Sequence, residues 1–217
     1  MKIVCVGYRS WALKIYKKLS KKLDDEFIIF DQIKNTPEKK IIKYNPDLIL
    51  FYGWSWKVPR SLTDKYTCLM LHPSNLPQFR GGSPIQNQII NGVKKSKISI
   101  FIMNEFMDEG DIVSQTSLDL TGTIQDIFDV IEKKGYGLTK KIILNGICKI
   151  TKQSRHNISL FKRRSPKDSE ITIKELLEND SRYLYDKIRM LGDPYPNAFI
   201  KTVDNKKLVI KLATIED

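Results

Sequence analysis

The stretch KIVCVGYRSWALKIYKKLSKKLDDEFIIFDQIKNTPEKKIIKYNPDLILFYG, residues 2–53, decides the fold. Three short apolar runs, KIVCV (2–6), FIIF (27–30) and DLILFY (47–52), are separated by segments with helical spacing. Each run is short for a helix and too continuous for a strand with one wet face, so each reads as a strand buried on both sides. Between the first two, Leu13, Tyr16 and Leu19 share a helical face, with Ser10 placed to cap it. Pro37 opens a second helical pattern that carries Ile41, Ile42 and Tyr44. Apolar runs alternating with helices predict βαβ units and a parallel sheet.

The same grammar continues outward. Leu69 to Leu71 is a fourth strand, running straight into His72-Pro73. Ser83 and Pro84 open a helix bearing Ile85, Ile89 and Ile90, and Gly92 ends it. Lys97 to Met103 and Asp111 to Leu120 are further strands. Thr123 caps a helix with Ile124, Ile127, Phe128 and Ile131 on one face, continuing past Gly135 towards Ile150. The expected architecture is α/β: a Rossmann-like, open, mostly parallel sheet with helices on both faces. It occupies residues 1–150. Residues 151–217 form a smaller extension packed on it: a basic loop (KRRS, 162–165), helical segments at 174–177 and 183–191, a turn cluster at 193–197 and a hairpin over 198–212 around Asp204-Asn205. That apolar hairpin either packs on its own domain or mediates a homodimer.

Bulk properties narrow the function classes. The formal charge is +12, which favours anionic partners. Many lysines, however, stand in dispersed pairs such as Lys17-Lys18 and Lys39-Lys40, as expected for solvated helix faces. Cys5, Cys68 and Cys148 lie far apart without CxxC spacing, which argues against a disulfide framework and against a zinc site. Cys5 and Cys148, in apolar runs, are expected to be core thiols. The first apolar run is too short for a secretory leader, and no stretch approaches the roughly 20 apolar residues of a membrane span. A cytoplasmic location is expected.

The chemistry concentrates in LHPSNLPQFRGGSPIQNQIINGVKKSKISIFIMNEFMDEGD, residues 71–111. His72 follows a strand, at the edge where open α/β sheets place their sites. Asp108 follows the next strand, inside a Gly-containing turn. Neighbouring strand ends can bring an imidazole and a carboxylate together, the carboxylate fixing the tautomer and stabilising the protonated ring. By residue type alone, a His at a strand end and an Asp in a turn are equally consistent with structural roles.

The pattern His-Pro-Ser-x-Leu-Pro-x-Phe-Arg-Gly (72–81), with Ser83-Pro84 and Gly92, resembles the formyltransferases that use N10-formyltetrahydrofolate. Asp108-x-Gly-Asp-Ile resembles that family's second signature, and the likeness runs on through Arg163-Arg164-Ser165 and Asp193-Pro-Tyr-Pro. The resemblance implies direct transfer of a formyl group to an amine, without metal. His72 would act as general acid/base at a tetrahedral intermediate, and Asp108 would orient and charge it. Where the family usually has an oxyanion-binding Asn two residues before the His, this chain has Met70. Gln86, Asn87 and Asn75 are candidate substitutes.

The folate pocket implied by the resemblance involves Tyr52, Gly53, Trp54, Trp56, Arg80, Gly81, Asn104 and Met107. Trp54 and Trp56 are equally readable as packing aromatics, and Arg80 as a loop brace. Tyr8, Arg9 and Ser10 at the first strand's exit, with Asn75, are candidates for the acceptor. Three acceptors are weighed. A chain ending at Asp217 leaves little room for a tRNA-contacting domain, and a single glycine at Gly7 argues against a Gly-rich phosphate loop for glycinamide ribonucleotide. A nucleotide-linked amino sugar is therefore expected, with methionyl-tRNA or a non-catalytic binder as alternatives.

Overall fold

A computed structural model describes residues 1–31 and 34–216; Asp217, on which the reading of the chain's end rests, lies outside them. The sheet has six strands in the order β2-β1-β3-β4-β6-β7. The N-terminal half supplies β1 (Lys2–Val6), α1 (Ser10–Lys22), β2 (Glu26–Phe30), α2 (Glu38–Tyr44), β3 (Leu48–Tyr52), α3 (Arg60–Thr63) and β4 (Thr67–His72). Then come β5 (Arg80–Gly81), α4 (Pro84–Ile90), β6 (Lys95–Ile102), β7 (Ile112–Asp119) and α5 (Ile124–Asn145). The extension holds β8 (Leu160–Phe161), α6 (Ile173–Glu178), α7 (Ser181–Arg189) and the hairpin β9 (Ala198–Lys201) with β10 (Lys207–Ile210).

Strands β1 to β4 pair in parallel. Their pleat sends alternate side chains to two apolar layers. Ile3, Cys5, Leu48, Leu50 and Leu69 pack on the side of α1 and α5. Val4, Val6, Ile49, Phe51 and Cys68 pack with Ile41 of α2 and Leu62 of α3. The continuous apolar runs are explained: both faces are covered. Tyr16 ties α1 to the sheet, its hydroxyl donating to the carbonyls of Val6 (3.1 Å) and Leu50 (3.0 Å) and accepting from the Tyr52 amide (2.6 Å).

The parallel pattern stops at β4. Strand β6 runs antiparallel to it, His72 opposite Ser99 and Leu69 opposite Ile102, and β7 is antiparallel to β6. Thr123 caps α5 with a capping box closed by Asp126, as its spacing predicts. The helix ends at Asn145, before the expected Ile150, because Gly146 takes φ 72°. Ser10 is the first helical residue rather than the cap; Arg9 holds that position and no side chain caps α1. Cys148 is exposed, while Cys68 joins Cys5 in the core. Burial pushes the Cys68 thiol up to about 12.

The extension shares the main core. Ile188, Leu191 and Ala198 belong to the α1/α5 cluster, and the buried Arg189 donates to the carbonyls of Leu120 (2.7 Å) and Gly122 (2.8 Å). The hairpin leaves Leu208 and Val209 58% and 49% exposed. Among the described residues no helix is long and apolar enough to cross a membrane, and no cluster of His, Cys, Asp and Glu is arranged to hold a metal ion.

Candidate active site

His72 is the last residue of β4, so the strand itself delivers the ring to the sheet's carboxyl edge. It is 6% exposed. Its Nε2 lies 2.8 Å from the carbonyl of Phe79. A carbonyl only accepts, so Nε2 carries a proton and Nδ1 is the atom turned to Asp108. Nδ1 and Asp108 Oδ2 are 3.5 Å apart. That leaves Nδ1 as the ring nitrogen facing the carboxylate. The separation is longer than a good hydrogen bond.

Asp108 arrives by a route that strand logic does not give. Because β6 is antiparallel, its carboxyl end lies beside Cys68, where the Met103 amide donates to the Cys68 carbonyl at 2.8 Å. The loop over 104–110 then turns back to bring Asp108 to His72. Gly110 makes the return possible: a Cβ there would stand 1.6 Å from the Ile102 carbonyl oxygen. Three residues hold the loop. The Gly81 amide donates to Asp108 Oδ2 at 2.8 Å. Gln153 donates to the carbonyls of Asp108 (2.8 Å) and Gly110 (2.7 Å). Arg80 pairs with Glu109 at 2.9 Å and donates to Gln153.

Backbone strain gathers at the same place. Of the described non-glycine residues with positive φ, Asn45, Asn157 and Asn205 are asparagines, which tolerate that region. The other three are Phe79 (55°), whose carbonyl meets His72, Asp108 (55°) itself, and Ser83 (51°), which lines the same cleft. Such conformations cost about 1–3 kcal/mol each and persist where the surroundings impose them.

A cleft of about 1050 Å³ opens beside the pair. Among the residues picked from the sequence, His72, Asp108, Gln86, Gly53, Trp54 and Trp56 line it. So do Gly81, Asn104, Met107 and Arg9. Met70 lines it too, and has no hydrogen-bond donor to offer. Gln86 is 2% exposed, and neither atom of its amide has a partner. The buried Trp54 Nε1 is likewise unpartnered. Leaving such groups unpaired costs about 1–3 kcal/mol each, so both orphans fit a site that a polar ligand completes.

Six picked residues do not line the cleft. Tyr52 is fully buried, stacked on Tyr16 and hydrogen-bonded to Thr139. Arg80 is spent on Gln153 and Glu109 and acts as the loop brace. Asn87 donates to the Gly82 carbonyl at 2.8 Å, so its amide pins the loop. Asn75 turns to Gln78 in its own loop. Ser10 is exposed in the first turn of α1. Tyr8 stands behind the wall, packed on Trp54 and Trp56 at ring distances of 6.4 and 5.0 Å.

Other lining residues went unassigned in the sequence. Arg163 and Arg164 line the cleft, placed there by the pairing of β5 with β8. That pairing needs Gly82, where a Cβ would meet the Arg163 Cα at 2.4 Å. Tyr195 also lines it, and the Arg9 guanidinium lies between the rings of Tyr8 (4.9 Å) and Tyr195 (5.0 Å). The KRRS run was the available signal for the arginines. Nothing in the sequence singled out Gln153.

A histidine–carboxylate pair at the edge of an open α/β sheet, facing a deep cleft with unsatisfied donors, is the layout of an acid–base group-transfer enzyme. The chain belongs to the formyl transferase family, whose pattern matches residues 17–145. The methionyl-tRNA formyltransferase of Rickettsia massiliae is 31% identical over 191 residues, 85% of this chain and 60% of that protein. The chain thus spans about 60% of the length of that curated relative. A solved methionyl-tRNA formyltransferase from Clostridium thermocellum is 34% identical with a TM-score of 0.88, covering 100% of this chain and 94% of that one. A 4-N formyltransferase from Francisella tularensis shares the fold at 22% identity and a TM-score of 0.78, over 100% and 98% of the two chains. Formyl-tetrahydrofolate is the donor used by this family.

Proposed function

We propose that this chain moves a formyl group from N10-formyltetrahydrofolate to the primary amine of a phosphate-bearing acceptor, with His72 and Asp108 as the acid–base pair. The observation that carries the reading is the meeting of these two side chains, 3.5 Å apart, on one cleft. The donor supplies an activated formyl group. Its pocket is assigned to Gly53, Trp54, Trp56, Gly81, Asn104 and Met107, all on the cleft wall.

In the reaction the acceptor nitrogen bonds to the formyl carbon, and the bond from that carbon to the folate nitrogen breaks. The proton lost by the amine ends on the folate nitrogen. His72 carries it at Nδ1, while Phe79 fixes the ring through Nε2. Asp108 stabilises the charged ring, and the Gly81 amide keeps the carboxylate aimed. Acid–base assistance of this kind is worth about 10²–10⁴-fold.

For the acceptor, the cleft wall favours a nucleotide-linked amino sugar. Trp56 is 41% exposed beside Trp54, a flat surface for a ring. Arg9, sandwiched between tyrosines and outside every ion pair among the described residues, suits a phosphate. The cleft is of a size for small ligands. Methionyl-tRNA is the second reading, favoured by the 31% and 34% identities to enzymes of that name.

The test offers N10-formyltetrahydrofolate with either a panel of amino-sugar nucleotides or methionyl-tRNA, reading tetrahydrofolate release and product mass. Formylated sugar nucleotide is expected. Product from methionyl-tRNA alone moves the acceptor to the second reading. Donor binding without any transfer makes the chain a binder instead.

A further inference from the structure

We propose that Gln86 is a catalytic residue: its side-chain amide donates a hydrogen bond to the formyl oxygen of the donor during transfer. The inference rests on the formyl-transfer reading and adds to it the group that receives the developing negative charge.

Helix α4 and its end carry four carboxamides, Gln86, Asn87, Gln88 and Asn91, and three have evident structural work. Asn87 donates to the Gly82 carbonyl. Gln88 donates to the carbonyls of Pro73 (2.7 Å) and Pro84 (2.9 Å) and accepts from the Ser96 hydroxyl. Asn91 donates back to the Asn87 carbonyl at 2.7 Å. Gln86 alone of the four is bonded to nothing, although it is the one that lines the cleft with His72. A buried amide left open at both ends is tolerated where a ligand closes it.

The chemistry names that ligand group. As the acceptor nitrogen adds to the formyl carbon, the carbonyl oxygen gains negative charge. A neutral N–H held in a water-poor site before the reaction starts stabilises that charge without reorganisation. Met70, two residues before His72 and on the same side of β4 by the pleat, has no donor. Among the described residues that line the cleft, the Trp54 Nε1 group is the other buried orphan, but it belongs to the aromatic corner with Tyr8 and Trp56. Gln86 lines the same cleft as His72, and the Gln88–Pro73 bond ties α4 to the residue following His72.

The test uses the full chain and N10-formyltetrahydrofolate with a ¹³C=O formyl label, bound without acceptor. Difference infrared spectroscopy should show the formyl stretch moved to lower frequency in the wild type and returned towards the free value in Gln86→Leu. With acceptor present, Gln86→Leu should lose about 10²–10³-fold in kcat, with the melting temperature unchanged or raised because an unsatisfied polar group is gone. Gln86→Met serves if the leucine variant does not fold. A bound formyl stretch identical in wild type and variant, or a kcat within threefold of wild type, overturns the role of Gln86 and leaves the formyl-transfer reading standing. Failure of the wild type to bind the labelled folate overturns both.

Discussion

The parallel half of the sheet and the loops at its carboxyl edge are held together by different forces. Strands β1 to β4 are fixed by burial: their alternate side chains fill two apolar layers, and Ile3, Val4, Cys5, Ile49 and Leu50 have no exposure at all. The loop that carries Asp108 has exposed neighbours, Phe106 at 59% and Met107 at 65%. It is positioned by a handful of polar contacts from Gly81, Gln153 and Arg80. Burial is non-directional and spread over many residues. Hydrogen-bonded placement is directional and rests on few. Damage to the first region should therefore appear as lost stability, and damage to the second as lost rate.

The sharpest separation is expected at Asp108→Asn. The amide keeps an acceptor for the Gly81 N–H but removes the charge beside His72. Turnover should fall by about 10²–10⁴-fold, while the melting temperature stays within a few degrees of wild type. Steady-state kinetics alongside thermal unfolding reads both. Near-normal turnover in this variant would remove the acid–base assignment.

Leu50→Ala probes the other side of the comparison. Leu50 is fully buried in the central strand β3, and truncation leaves a cavity that a close-packed sheet cannot fill. The expected cost is about 2–5 kcal/mol, or about 2–4 °C in melting temperature per kcal/mol for a chain of this size. Turnover per folded molecule, measured well below the transition, should hold. A large rate loss there would show that the frame and the site are not separable.

The same contrast explains what was legible in the sequence. The runs at 2–6, 27–30 and 47–52 announced themselves because burial on both faces writes a continuous apolar signal. His72 was legible as a strand-end residue, and Asp108 through the motif around it. The direction of β6 was not legible, since periodicity is the same for parallel and antiparallel strands. The pairing of Arg80-Gly81 with Leu160-Phe161 was hidden because two residues have no period. Gln153, which holds the Asp108 loop, is a lone polar residue with nothing to mark it. Asn87 and Gln86 are neighbours of similar chemistry, and only the structure shows that one is pinned to Gly82 while the other is free.

The smallest effect expected is a pH dependence of the segment that carries the arginines. Asp168 closes a capping box on the short turn Pro166–Ser169, directly after Arg163 and Arg164. The Ser165 backbone N–H donates to its carboxylate and holds it below the usual carboxylate range. A depressed carboxyl stabilises the folded state only while it is ionised. Its contribution is complete above the ordinary value of 3.8 and fades as pH falls through the lower folded value. Asp168 is exposed, so solvent and salt screen the interaction, and less than about 1 kcal/mol is expected. Asp168→Asn should therefore lower stability slightly at pH 7, by an amount that shrinks as the pH is taken below 3.8, as measured by denaturant unfolding across that range. A larger effect, comparable to Leu50→Ala, would place this turn with the frame rather than with the polar loops.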